Sequence, residues 1–216
     1  MKTAGLQVLS LILVLSLTAL ACAAPGMVDD LLNPLPSDDF SKESSGWGIG
    51  TDSQSSVEYV DGGLQMIVYQ PFFVTWSNPN TEVYENVHIE AGVKNASTDP
   101  KAFFGILCNE QVATTAFYYV GVSPNGYYAF IESTVTGDKY LKEGTSELIS
   151  SSADSMRLGL DCGVNTLTLY VNGQLVDSTP AGSLPGGSLG LFAATDELSN
   201  GANVTFDDFA VTPLGE

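Results

Sequence analysis

The sequence predicts an all-β domain of antiparallel strands, and three observations carry that prediction. Strand-like runs recur at regular spacing with Gly, Asn, Asp or Pro between them, and helical periodicity is missing after the N-terminal apolar stretch. The third is "LDCGVNTLTLYVNGQLVDS", residues 160 to 178, which joins a clean alternation to a tight-turn dipeptide. Here Leu167, Leu169 and Val171 are expected to face a core, with Thr166, Thr168 and Tyr170 facing out. Asn172-Gly173 supplies two positive-φ residues, and the chain returns as Gln174-Leu175-Val176.

The expected strands are Ser56-Val60, Leu64-Tyr69, Phe73-Ser77, Tyr84-Lys94, Ala102-Cys108, Ala116-Ser123, Gly126-Thr134, Lys139-Lys142, Ser155-Cys162, Thr166-Val171, Gln174-Ser178, Ser188-Ala193 and Ala202-Thr212. In the fourth, Val87, Ile89, Ala91 and Val93 alternate with His88, Glu90 and Lys94 around Gly92, the pattern of a half-buried antiparallel strand. Asp61-Gly62-Gly63 and Pro124-Asn125-Gly126 read as further turns. So many antiparallel strands in one domain fold as a sandwich or a barrel.

Length supports the same picture, since 216 residues that are 44% hydrophobic suffice for one sizeable core. Residues 1–24 carry one Lys, an apolar stretch from Leu6 to Leu20 and then small residues, as a secretory signal does. Ala19-Leu20-Ala21-Cys22 resembles a bacterial lipoprotein box in which Cys22 becomes the lipidated first residue. Cleavage after Ala21 or Ala23 by an ordinary signal peptidase is the alternative. Residues 25–37, rich in Pro, are expected to be a tether, and residues 38–213 the folded domain. The expected location is the cell envelope, by a lipid anchor at Cys22, or the exterior.

Charge excludes whole classes of partner. The net charge is −18, and the only cations are Lys2, Lys42, Lys94, Lys101, Lys139, Lys142 and Arg157. Such scattered cations cannot neutralise a run of phosphates, so nucleic acid and anionic membrane surfaces are not expected partners. The acids form a solvated shell, or some of them bind a cation such as calcium. Of three cysteines, lipidation or cleavage accounts for Cys22. Cys108 and Cys162 remain, and in an oxidising compartment they favour a disulfide over two buried thiols.

A family resemblance then becomes visible. "DDF", "GW", "YVDGGLQM", "GILC", "NGYYAFIE", "RLGLDCGVNTLTLYVNGQLV", "GSLGLFA" and "VTFDDFAV" follow one another in the order seen in concanavalin A-like lectin/glucanase domains. The chain looks most like the laminin-G-like and keto-disaccharide-hydrolase-like jelly rolls of exported bacterial proteins, over roughly residues 38–213. This resemblance implies a two-sheet antiparallel jelly-roll β-sandwich, one sheet concave, with first and last strands side by side. It also supports pairing Cys108 with Cys162.

Fold alone assigns no activity, because lectins, hydrolases and adhesion modules share it. A glycosidase needs two converging carboxylates. The Glu-x-Asp-x-x-Glu segment of laminarinase-like relatives is absent, although Glu132 and Asp138 could meet across a turn. Nucleophilic catalysis would rest on His88 alone, which is expected on the outward face of its strand. No catalytic residue is therefore assigned. With first and last strands adjacent, Asp39, Asp207 and Asp208 would gather hard oxygen ligands, so a structural calcium is the cofactor to test, against hydrated, turn-capping acids as the alternative. For binding, "VTWSNPNTEVYEN" presents Trp76, Asn78, Glu82 and Tyr84 in a Pro-broken loop, and Tyr119 and Tyr127 offer a second aromatic patch. The expectation is an exported, non-catalytic module for carbohydrate or another surface ligand. A protein–protein adhesion module and a glycoside-active enzyme are the alternatives.

Overall fold

A computed structural model describes residues 35–197 and 200–215, so the signal, Cys22 and most of the tether lie outside the described residues. The compact unit of the described residues begins at Pro36, and Ser37, expected in the tether, already belongs to a strand. The strands are β1 (Ser37–Asp38), β2 (Gly50–Thr51), β3 (Ser55–Val60), β4 (Gly63–Val68), β5 (Val74–Ser77), β6 (Val87–Asn95), β7 (Phe103–Gln111) and β8 (Ala116–Val122). They continue as β9 (Tyr127–Thr134), β10 (Gly137–Thr145), β11 (Ser155–Cys162), β12 (Thr166–Val171), β13 (Gln174–Pro180), β14 (Ser188–Ala194) and β15 (Ala202–Pro213). One helical turn, α1 (Glu147–Ser150), is capped by the Ser146 side chain, which accepts from the Leu148 N–H. Every expected strand is present. The two-residue strands β1 and β2 were not expected, and β10 is longer than expected because its largely polar edge carries no apolar signal.

Two antiparallel sheets result. One runs β13-β12-β11-β6-β15-β4-β3-β2, with β1 on β15, and the other runs β10-β9-β8-β7-β14-β5. First and last strands are indeed neighbours, with Ser37 opposite Ala210 and Asp38 opposite Phe209. A disulfide joins Cys108 of β7 to Cys162 of β11, Cα atoms 6.6 Å apart, and ties the two sheets together. The faces that carry these cysteines therefore look at each other and enclose the core. From one sheet come Ile89, Leu160, Leu169, Val204 and Phe206, and from the other Phe104, Ile106, Tyr118, Phe130 and Leu191, all buried.

Bulges adjust this frame at two places that matter. In β15 the ladder slips at Asp207–Asp208, where Asp208 is left-handed, so Phe206 and Phe209 both reach the interior although three residues apart. Phe209 then meets the Trp47 ring edge-on at 4.9 Å. In β7 the ladder slips beyond Cys108, with Asn109 at φ 54°, and this re-aims Glu110.

Candidate functional site: a groove on the six-stranded sheet

Strand parity assigns the other face of the six-stranded sheet. Cys108, Tyr118 and Phe130 look inward, so Leu107, Tyr119 and Ile131, one residue away and paired in register, look out. That outward face is not polar. Leu107, Phe117, Tyr119, Ala129, Ile131, Phe192 and Ala194 form a buried apolar cluster there, with Val74, Trp76, Phe103 and Tyr127 packed against it. The rings make a continuous run, Trp76 to Phe117 at 5.6 Å, Phe117 to Tyr119 at 5.7 Å, Tyr119 to Phe103 at 6.3 Å and Phe103 to Tyr127 at 6.1 Å. Gly121 makes room for it. A Cβ there would stand 2.6 Å from Phe192 Cζ, so only glycine lets the rings lie on the sheet.

All six strands, with loop residues at one end of them such as Phe72, Ser123 and Asp196, line one cavity of about 590 Å³ on this face. Its lining includes Val74 of β5, Ala194 of β14, Phe103 of β7, Tyr119 of β8, Tyr127 of β9 and Tyr140 of β10. Six strands about 4.8 Å apart give a floor of roughly 24 Å, long enough for several rings of an extended chain. Carboxylates stand among the aromatics. The Tyr119 hydroxyl donates to Asp138, which also accepts from Ser133 Oγ at 2.7 Å, and Tyr127 donates to Glu143 at 2.6 Å. Burial first, and then Asp138 and Glu143 respectively, push both phenols well above their ordinary value. Burial and the charges of Asp138, Glu143 and Asp196 raise the Tyr140 phenol as well. Both tyrosines therefore stay neutral donors, and the carboxylates offer further lone pairs to a hydroxylated ligand.

The sequence-predicted residues divide. Trp76, Tyr119 and Tyr127 come together on this face, while Asn78 and Tyr84 of the Pro-broken loop are occupied in holding the protein together and Glu82 is exposed. Asn78 donates to Glu110 at 2.9 Å and to the Leu189 carbonyl at 2.8 Å. Glu110, re-aimed by the β7 bulge, accepts from Trp76 Nε1 at 3.2 Å and Ser188 Oγ at 2.6 Å, fixing the indole. Tyr84 is buried and its hydroxyl donates within the loop, to Asn80 or to Glu82 at 3.3 Å. Sequence reasoning missed Phe103, Tyr140 and Phe72 as groove residues. Their signal was that "AFYYVGV" is apolar at both parities, so both of its faces had to be covered or used.

The expected chemistry elsewhere is rearranged. Glu132 and Asp138 do not meet, because Asp138 stands opposite Ser133 and Glu132 opposite Lys139, which sends them to opposite faces. His88 does sit on the outward face of its strand. Its neighbours are Asp161, 2.6 Å from Nδ1, and Glu90, 3.2 Å from Nε2, so no Ser or Cys nucleophile is paired with it among the described contacts. At the β1–β15 end, Asp38 accepts from Trp47 Nε1 at 2.9 Å, Asp39 from Ser41 Oγ at 2.6 Å, and Asp207 from the Asp208 N–H at 2.8 Å. Asp38, Asp39 and Asp208 line a second cavity of about 900 Å³ that Lys42 and Arg157 share. Among the described residues no three His, Cys, Asp or Glu side chains group as metal ligands, so Asp39, Asp207 and Asp208 make no such set.

No family model and no curated protein matches the chain. Solved structures do. The carbohydrate-binding module CBM66 from Bacillus subtilis matches with a TM-score of 0.61 at 11% identity, over 77% of this chain and 94% of that one. A protein of unknown function with a galectin-like fold, also from Bacillus subtilis, matches with a TM-score of 0.61 at 14% identity, over 82% and 94%. A GH16 protein of the Bacteroides ovatus mixed linkage glucan locus, in complex with a product, matches at 0.57 and 12% identity, over 82% and 99%. The chain spans only 18% of the length of a sialidase that it also matches. With sheet order, disulfide and groove in place, these likenesses make the chain a jelly-roll sandwich of the concanavalin A-like kind.

Proposed function

We propose that the protein is an exported, non-catalytic module that binds carbohydrate in the groove of its six-stranded sheet, held at the cell envelope through Cys22 or released. The observation that carries this reading is that the partly exposed rings of Trp76, Phe103 and Tyr127 lie on the buried aromatic cluster of this face beside the tyrosine–carboxylate pairs. Aromatic faces stack on the apolar faces of sugar rings, and fixed hydroxyls and carboxylates bond their equatorial hydroxyls. The carbohydrate-binding module among the structural neighbours supports the reading, and the disulfide is compatible with export.

A panel of soluble polysaccharides in affinity electrophoresis tests it. At least one should retard the protein, and Tyr127→Ala should weaken that retardation while leaving the thermal unfolding cooperative. If no polysaccharide retards it, the carbohydrate reading fails. Hydrolase neighbours give a second reading its own readout. Release of reducing ends from the bound polysaccharide, lost in Asp138→Asn, would make the groove an active site.

A further inference from the structure

Phe72 combines two properties that rarely coexist. It is 75% exposed, and its φ is 54°, the left-handed region that is unfavourable for a bulky residue. Nothing in its own packing offsets that cost. The conformation is instead imposed by a backbone brace. Phe72 N–H donates to the Asp196 carbonyl at 3.2 Å, Phe73 N–H to Thr195 Oγ1 at 3.2 Å, and Thr195 Oγ1 to the Gln70 carbonyl at 2.7 Å. Pro71 stiffens the same turn. The brace holds Phe72 at the wall of the groove, where it lines the same cavity as Phe103, Tyr127 and the half-exposed Tyr140.

The charge around this aromatic rim is one-sided. Asp138 and Asp196 line the cavity and Glu143 is bonded to Tyr127 beside it, while the one lysine in the lining, Lys101, is bridged to Asp196 at 3.3 Å. An anionic polymer would meet like charge in a partly desolvated groove on a protein whose net charge is −18, whereas hydroxyl groups find acceptors.

Resting on the carbohydrate reading above, we infer that Phe72 is a specificity-determining stacking platform, and that this rim selects uncharged glycans over uronic and sulfated ones. The strained backbone at Phe72 keeps the ring out of the core and available to a sugar face.

The test compares wild type, Phe72→Ala and Phe72→Gly on neutral glucans, mannans, xylans and fructans, and on alginate, pectate and dextran sulfate. Retardation should be confined to neutral polymers. Both variants should weaken the best binder about three- to tenfold, the size of one aromatic stacking contact. Because glycine accepts a positive φ, Phe72→Gly should unfold at or above the wild-type temperature, so its loss of affinity is not a loss of fold. Tightest binding to an anionic polymer, or unchanged affinity in both variants while Tyr127→Ala weakens binding, would overturn the inference and leave the carbohydrate reading standing. Failure of every polymer to bind removes both.

Discussion

Gly121 decides how the groove can be built. It sits on the outward face of β8, between Phe103 and Phe192, and a single methyl there would also press 2.7 Å from the Phe104 carbonyl. The neighbours are backbone and close-packed rings, which cannot swing aside as a flexible chain end does. Gly121→Ala should therefore cost about 1–3 kcal/mol in urea unfolding and displace the rings from the groove floor, lowering polysaccharide retardation. Unchanged stability would mean that the rings have slack the packing does not show. Trp47 has the opposite job at the other end of the fold. Its ring is buried against Phe40 at 5.2 Å and Phe209 at 4.9 Å, and its N–H is held by Asp38, so it fastens β1 and the following loop to β15. Trp47→Ala should cost about 3–5 kcal/mol and leave any binding by the surviving folded fraction intact, since Trp47 is outside the groove.

At the level of elements, the disulfide is the covalent link between sheets. It closes a loop of sequence separation 54 between β7 and β11, which on a chain-entropy argument stabilises the fold by about 4 kcal/mol. Cys108→Ser with Cys162→Ser should lower the urea midpoint by a corresponding amount, and thiol titration of the wild-type domain should find neither cysteine reactive. Alternation made most strands legible in the sequence, as at Leu167, Leu169 and Val171, because one face of each met water. The same logic was silent at β8, where both faces are buried and Tyr118 and Tyr119 differ only in parity. Knowing that Cys108 faces Cys162 would have settled it, since Tyr118 pairs with Cys108 and must look inward. Bulges were also illegible. Nothing in "CNEQ" or "FDDF" announces that Asn109 and Asp208 turn left-handed, yet those turns bring Glu110 to Trp76 and Phe209 into the core. The loop around Asn78 and Tyr84 looked like a ligand contact because polar and aromatic residues alternate there. Asn78 is instead bonded to Glu110 and the Leu189 carbonyl, and Tyr84 to Asn80 within the loop, which keeps the Pro-broken segment in place.

Taken as a whole, the molecule couples an acidic surface to unusually protected tyrosines, and this sets its response to alkali. Seven of the nine tyrosines, Tyr84, Tyr118, Tyr119, Tyr127, Tyr128, Tyr140 and Tyr170, have phenols pushed up in the folded state. Burial leads for six of them, and for Tyr170 the bond to Asp161 does. Tyr128, donating to Asp177 at 2.5 Å, is pushed up to about 12, and Tyr119 and Tyr127 lie higher. A phenol raised in the fold keeps a proton that the unfolded chain has lost, so the contribution is full below the unfolded value near 10 and disappears as pH rises through the folded value. Stability should thus be flat up to about pH 10 and fall steeply between roughly pH 10 and 12. Phenolate absorbance followed together with circular dichroism checks this. The seven raised tyrosines should ionise in one step that coincides with unfolding. Tyr128→Phe, which lacks the proton in question, should shift that step to higher pH. Ionisation of Tyr119 and Tyr127 near pH 10 in a folded protein would show that the tyrosine–carboxylate pairs lining the groove are not formed in solution, and would undercut the groove's role with them.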